Sequence, residues 1–247
     1  MLGQRIEQIK TAVLAGIVVL LILTAVAVVI KYGEEGENNM PFELSKIILG
    51  SMVVSEDTEI SDTSTENNII QNNGVYIEIK KNEEYKKDAI IKSVEISNIQ
   101  VIKEPLKGDI KIFLPNTIED KKFTYSKEYI LEDNYFKYLG ASKSNTTTLE
   151  INNQGGVVAI AFGNTGLGKY ELSTEGLTID GTMLTDMGIT DEDIKFTVNF
   201  DLIIETEKNK FKTNMTLELP AGNITKEGIS SKEITDTDKY IFKRIKE

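Results

Sequence analysis

The chain has 247 residues, enough for one large domain or two small ones, with 28 basic against 39 acidic side chains and a formal net charge of −11. It contains no cysteine and no histidine. That excludes a disulfide framework, thiol chemistry, Ser-His-Asp and Cys-His machinery, and zinc sites built from those ligands.

From Thr11 to Ile30 the sequence reads TAVLAGIVVLLILTAVAVVI, without a charge, an amide or a proline. About 20 helical residues at about 1.5 Å each cover about 30 Å, the hydrocarbon thickness of a bilayer. A helix buried in a soluble domain would carry a polar stripe, and this one carries none. Arg5 and Lys10 precede it against Glu7 alone, while Glu34, Glu35 and Glu37 follow Lys31. The positive-inside rule then places the N-terminus in the cytoplasm and the bulk of the chain outside the cell membrane. Residues 1–10 read as a cytoplasmic head, 11–31 as a transmembrane signal-anchor helix, 32–40 as a short stalk and 41–247 as an extracytoplasmic domain.

Ala25-Val26-Ala27 has the small-x-small form of a signal peptidase site. Val28, Val29 and Ile30 extend the run beyond a usual cleavable signal, so retention of the anchor is expected over cleavage after Ala27. The glycine-aromatic-glutamate processing signature of a type IV pilin is missing around Gly3.

Residues 1–31 carry a net charge of +2, which leaves −13 for the remainder. An acidic ectodomain is poorly suited to phosphate backbones or anionic lipid surfaces, and no basic stripe with interleaved aromatics points to nucleic acid. The expected partner is the bilayer itself, through residues 11–30, with a surface protein or cell-wall glycan beyond it. Absent disulfides and a Lys- and Asn-rich chain with only two arginines point to a Gram-positive surface. In such a chain the sequons at Asn145, Asn214 and Asn223 carry no weight.

After the polar segment Tyr32–Met40 the pattern changes to period two. Phe42, Leu44, Ile48 and Met52 predict a strand, and Glu56–Asn68 reads as a solvated acidic loop. Val75, Ile77 and Ile79 give the next strand. Ile90–Ile102 follows, with a bulge expected near Asn98, where the alternation slips. Gly108 separates it from Ile110–Leu114. The clearest element is Ile194–Leu219. Phe196, Val198, Phe200, Leu202 and Ile204 alternate with polar residues, the chain turns at 207–210, and Phe211, Met215, Leu217 and Leu219 return. That is a hairpin with one apolar face. Thr190–Asp193 is the one convincing helical segment, 221–240 reads as loop, and Tyr240–Ile245 as a final strand. The fold class is mainly β, an N-terminal transmembrane helix followed by an antiparallel β-sandwich.

The stretch YGEEGENNMPFELSKI, Tyr32 to Ile47, resembles the juxtamembrane region of uncharacterised single-pass membrane proteins of Clostridia-type Gram-positive bacteria. The resemblance implies topology and source, and no activity.

Gly163-Asn-Thr-Gly-Leu-Gly-Lys169 fits the frame of a phosphate-binding loop, but Tyr170 stands where a Ser or Thr would hold magnesium. It reads as a glycine-rich hairpin between strands. The carboxylates at Asp186, Asp191, Glu192 and Asp193, at Glu56, Asp57, Glu59 and Asp62, and at Asp236 and Asp238 could offer oxygens to calcium, yet none follows the EF-hand pattern. They read as solvated loops and a helix N-terminus, and no metal or cofactor is expected. The segment Phe123–Gly140 holds four of the nine tyrosines, Tyr125, Tyr129, Tyr135 and Tyr138. Exposed tyrosines stack on sugars and anchor protein partners, which makes these four the candidate ligand or partner contacts.

The sequence thus reads as a membrane-anchored structural or interaction module and not an enzyme. The rivals are a carbohydrate- or peptide-binding module using those tyrosines, and a carboxylate-based cell-wall glycan hydrolase, which needs two acids about 5–9.5 Å apart.

Overall fold

In the computed structural model, residues 2–37, 39–57, 65–115, 125–130, 135–142, 150–172 and 182–245 are described. The chain opens with helix α1, Leu2–Glu35. Within it Val13–Gly33 is long and apolar enough to cross a membrane, and none of it is buried. Its large apolar side chains from Val13 to Ile30 are 47–70 % exposed on every face, so nothing in the protein satisfies them.

The helix stops at a glycine. Gly36 takes a left-handed φ of +75°, and its N–H donates to Tyr32 O at 2.9 Å. That turn suits glycine at a helix C-terminus. A Cβ there would meet Phe242 O at 2.5 Å.

Twelve strands follow among the described residues, with three short helices. They are β1 Phe42–Asp57, β2 Thr65–Lys81, β3 Ile91–Lys103, β4 Asp109–Pro115, β5 Tyr125–Ile130, β6 Phe136–Ala141, β7 Glu150–Asn152 and β8 Gly155–Leu172. Then come α2 Thr182–Asp186, α3 Asp191–Ile194, β9 Phe196–Thr206, β10 Lys210–Leu219, α4 Ile224–Glu227, β11 Ile229–Ile234 and β12 Lys243–Ile245. They form two six-stranded sheets, β11-β1-β2-β8-β4-β5 and β12-β10-β9-β3-β6-β7. All pairings are antiparallel except β6 with β7.

The sheets close on one core. Val75, Ile77, Ile79, Val158, Ile160 and Phe162 from the first meet Val94, Ile96, Phe196, Val198, Phe200 and Leu202 from the second. Period two decides these faces, as the expected hairpin shows. β9 and β10 pair in register from Lys210↔Glu205 to Leu219↔Phe196, with Phe200 opposite Met215 and both fully buried. The bulge on β3 is also where the pattern slips. Asn98 has a φ of 52°, the register shifts between Ser97 and Gln100, and the buried set moves from Val94 and Ile96 to Ile99.

Four expectations are corrected. Glu56–Asn68 is not one loop, because β1 runs to Asp57, β2 begins at Thr65, and Glu56 pairs with Asn68; Glu59 and Asp62 lie outside the described residues. Gly163–Lys169 is not a hairpin but a bulge inside the continuous strand β8. Opposite it, Ile69 pairs Gly168 and Gln71 pairs Asn164, and Gly166 and Gly168 take positive φ. Residues 221–240 hold α4 and β11, which pairs along β1. Finally, α2 and α4 join α3 as helices, covering a second small core of Val53, Ile69, Leu184, Ile189, Ile194 and Ile224 at the end remote from α1.

Candidate functional site

Of the four tyrosines, Tyr125 and Tyr129 lie on β5, and their side chains fall outside the described residues. Tyr135 precedes β6 and is 44 % exposed. Tyr138 is a correction. It is only 5 % exposed, because on β6 it shares the inward face with Phe136. β4 stops pairing with β8 at Phe113↔Ala161. Beyond that point the Tyr138 hydroxyl donates to Ala159 O at 2.7 Å and accepts from Ala159 N–H at 3.2 Å. The phenol therefore ties the two sheets together and closes an open edge of β8. Burial pushes its pKa well up, despite the hydrogen bond at Ala159, and keeps it protonated.

The outer face of the second sheet is polar and ordered around two carboxylates on β9. Asp201 accepts hydrogen bonds from Asn98 Nδ2 at 2.7 Å, Asn214 Nδ2 at 3.1 Å and Lys212 Nζ at 3.3 Å. Partial burial pushes its pKa up, but these three donors outweigh burial and hold it below the usual carboxylate range. Glu205 is held the same way. Burial opposes ionisation, while Ser93 Oγ at 2.9 Å and Lys137 Nζ at 3.2 Å prevail. Next to Asp201, Asn199 and Asn214 exchange amide hydrogen bonds, and Asn199 also donates to Thr216. Asn98 reaches Asp201 only because the β3 bulge turns its side chain to this face. These two carboxylates lie four residues apart on one strand, about 13 Å. That exceeds the separation of a glycosidase pair, and neither is held protonated as a general acid.

Of the acidic clusters weighed for calcium, the carboxylates between Asp186 and Asp193 are separately engaged. Asp193 receives the N–H and the hydroxyl of Thr190 at 2.8 Å each, capping α3, and the backbone hydrogen bond foremost lowers its pKa. Glu192 pairs with Lys195, Asp191 accepts from Thr225, and Asp186 accepts from Tyr170. Among the described residues no three Asp or Glu side chains converge as metal ligands. The glycine segment of β8 leads into further strand, without the helix N-terminus that a phosphate loop requires.

The remaining constructed feature is the junction of α1 with the sandwich. Tyr32–Met40 does not stand free, since Gly36 and Met40 are buried. Glu37 N–H donates to Phe242 O at 2.8 Å, and Arg244 N–H donates to the Tyr32 hydroxyl at 2.9 Å. The Arg244 guanidinium lies 3.2 Å from Glu37. Asn82 Nδ2 holds Met40 O, and Asn82 N–H holds Pro41 O. The last helical turn is thereby bonded to β12, and the exit segment to the β2–β3 connection. No family model matches this chain, and comparison with curated proteins and with solved structures finds no match.

Proposed function

We propose that the chain is a membrane-anchored, extracytoplasmic interaction module, with α1 as a retained signal anchor and the sandwich held rigidly above the bilayer. The observation that carries this reading is the direct passage from an apolar helix exposed on all sides into a hydrogen-bonded junction with β12. A span needs lipid around it, and a docked exit fixes how the domain stands on that span. The polar outer face of the second sheet is the interaction surface. Its amides and carboxylates are preorganised by mutual hydrogen bonds, and Leu139 and Tyr135 lie exposed on β6 and just before it. Such a mixture suits an extracytoplasmic protein or glycan partner.

The test is protease treatment of intact protoplasts of a Gram-positive host expressing the chain. Residues 41–247 should be digested and the N-terminal head spared, and mass spectrometry should find Met1–Ile30 still attached. Full protection of the C-terminal domain would overturn the topology. A mature N-terminus at Val28 would overturn the retained anchor.

A further inference from the structure

The buried apolar side chains form two clusters, and a polar belt lies between them. The main cluster fills the sandwich, while the smaller sets Leu184, Ile189, Ile194 and Ile224 against Val53 and Ile69. Gln71 and Asn73 share the inward face of β2 with Val75, by the period of two. Ser51 stands opposite Asn73 on β1, and Asn164 stands opposite Gln71 on β8. Ser51, Gln71, Asn73 and Asn164 are all fully buried.

The amides of this belt bond to one another and to backbone. Gln71 Nε2 donates to Asn73 Oδ1 at 3.1 Å, and Asn164 Nδ2 donates to Gln71 Oε1 at 3.3 Å. Asn73 Nδ2 reaches Phe162 O, and Asn164 Nδ2 also reaches Lys107 O, both at 3.1 Å. Asn164 Oδ1 has no partner. A buried carbonyl without a donor is destabilising until water or another donor reaches it. Lys107 and Gly108 lie over it as a strap. Gly108 takes a φ of +84°, and a Cβ there would collide with Asn164 Oδ1. The strap is held by α3, through Lys107 N–H to Asp193 O at 2.9 Å.

The helices beyond the belt are short. α2, α3 and α4 have five, four and four residues, too few to persist without packing. They hold each other, since Thr225 Oγ1 donates to Asp191 Oδ1 at 3.1 Å and Ile189 N–H to Leu184 O at 2.8 Å. Losing one helix opens the small cluster on which the others pack. Water that enters there meets the amides of the belt before it meets the main core. We propose that α2, α3 and α4 form a lid that opens as one unit while the sandwich stays closed, uncovering Gln71 and Asn164. Opening gives up the small cluster, and the hydrogen bond that Asn164 Oδ1 gains from water offsets part of that loss.

Amide hydrogen exchange of the detergent-solubilised full chain tests the lid. Lys107, Ile189 and Gly228 donate backbone hydrogen bonds within or to it. These three amides should share one protection factor, at least about ten-fold below that of β9 and β10. Ile204→Val, fully buried in the sandwich, should lower protection of the hairpin by about two- to ten-fold and leave these three unchanged. Ile224→Val on α4 should lower all three by one common factor. Lid amides protected as strongly as the hairpin, and falling with it in Ile204→Val, overturn the proposal. An effect of Ile224→Val confined to Gly228 overturns it too, because the helices would then open separately.

Discussion

Truncating Phe200 to alanine separates the two faces of the β9–β10 hairpin most directly. Phe200 is fully buried, lies opposite Met215 on β10, and is flanked on its own face by the fully buried Val198 and Leu202. Removing the ring costs its transfer free energy and leaves a cavity that such packed neighbours cannot close, about 3–5 kcal/mol. Against a stability of about 5–15 kcal/mol, that raises the unfolded fraction by roughly two to four powers of ten. Asn199, one residue away, is the control. It loses hydrogen bonds to Asn214 and Thr216 that are exposed and easily replaced by water. Asn199→Ala should cost at most about 1 kcal/mol. The assay is denaturant unfolding of the detergent-solubilised full chain, followed by far-UV circular dichroism. Phe200→Ala should shift the midpoint far below that of Asn199→Ala. A one-residue error in register would exchange the two outcomes, and equal small shifts would refute the two-faced strand.

Tyr138→Phe keeps the ring but strands the buried N–H and C=O of Ala159. It should cost about 1–3 kcal/mol in the same unfolding assay, although it deletes a single oxygen. The junction should loosen in a Tyr32→Phe, Arg244→Ala variant, seen as faster proteolysis at residues 36–40 with the melting of the sandwich little changed. Asp201 and Glu205 have folded-state pKa values below their unfolded ones, near about 3.9 and 4.3. Their stabilisation is therefore complete above about pH 5 and lost as pH falls through the lower folded values. Thermal melts should hold steady from neutral pH to about 5 and drop below 4, and the drop should shrink in Asp201→Asn.

What the sequence revealed depended on how many residues carried each signal. The hairpin offered about twenty residues that alternate with few exceptions, and a single out-of-step position at Asn98 located the β3 bulge. By contrast, α2 and α4 are only five and four residues long, too short for a helical period to emerge. β11 lies at a sheet edge with most of its residues exposed, so it shows no alternation. Tyr138 was legible in principle, since Phe136 and Tyr138 share one face and Tyr135 and Lys137 the other. Grouping the tyrosines by composition obscured that parity. The Asp201 and Glu205 networks were beyond reach, because Asn98 and Ser93 approach from 103 and 112 residues away.

The junction was out of reach for the same reason. Tyr32–Met40 reads as a free stalk because its glycines and acids show no apolar period. Its partners, Phe242 and Arg244, lie more than 200 residues further along the chain. A domain on a loose stalk would average over orientations. Here Tyr32 and Glu37 are bonded to Arg244 and Phe242, and the apolar stretch of α1 ends within one helical turn of that contact. The same few bonds therefore fix how the sandwich stands on α1, and loosening them should let the two reorient without unfolding either.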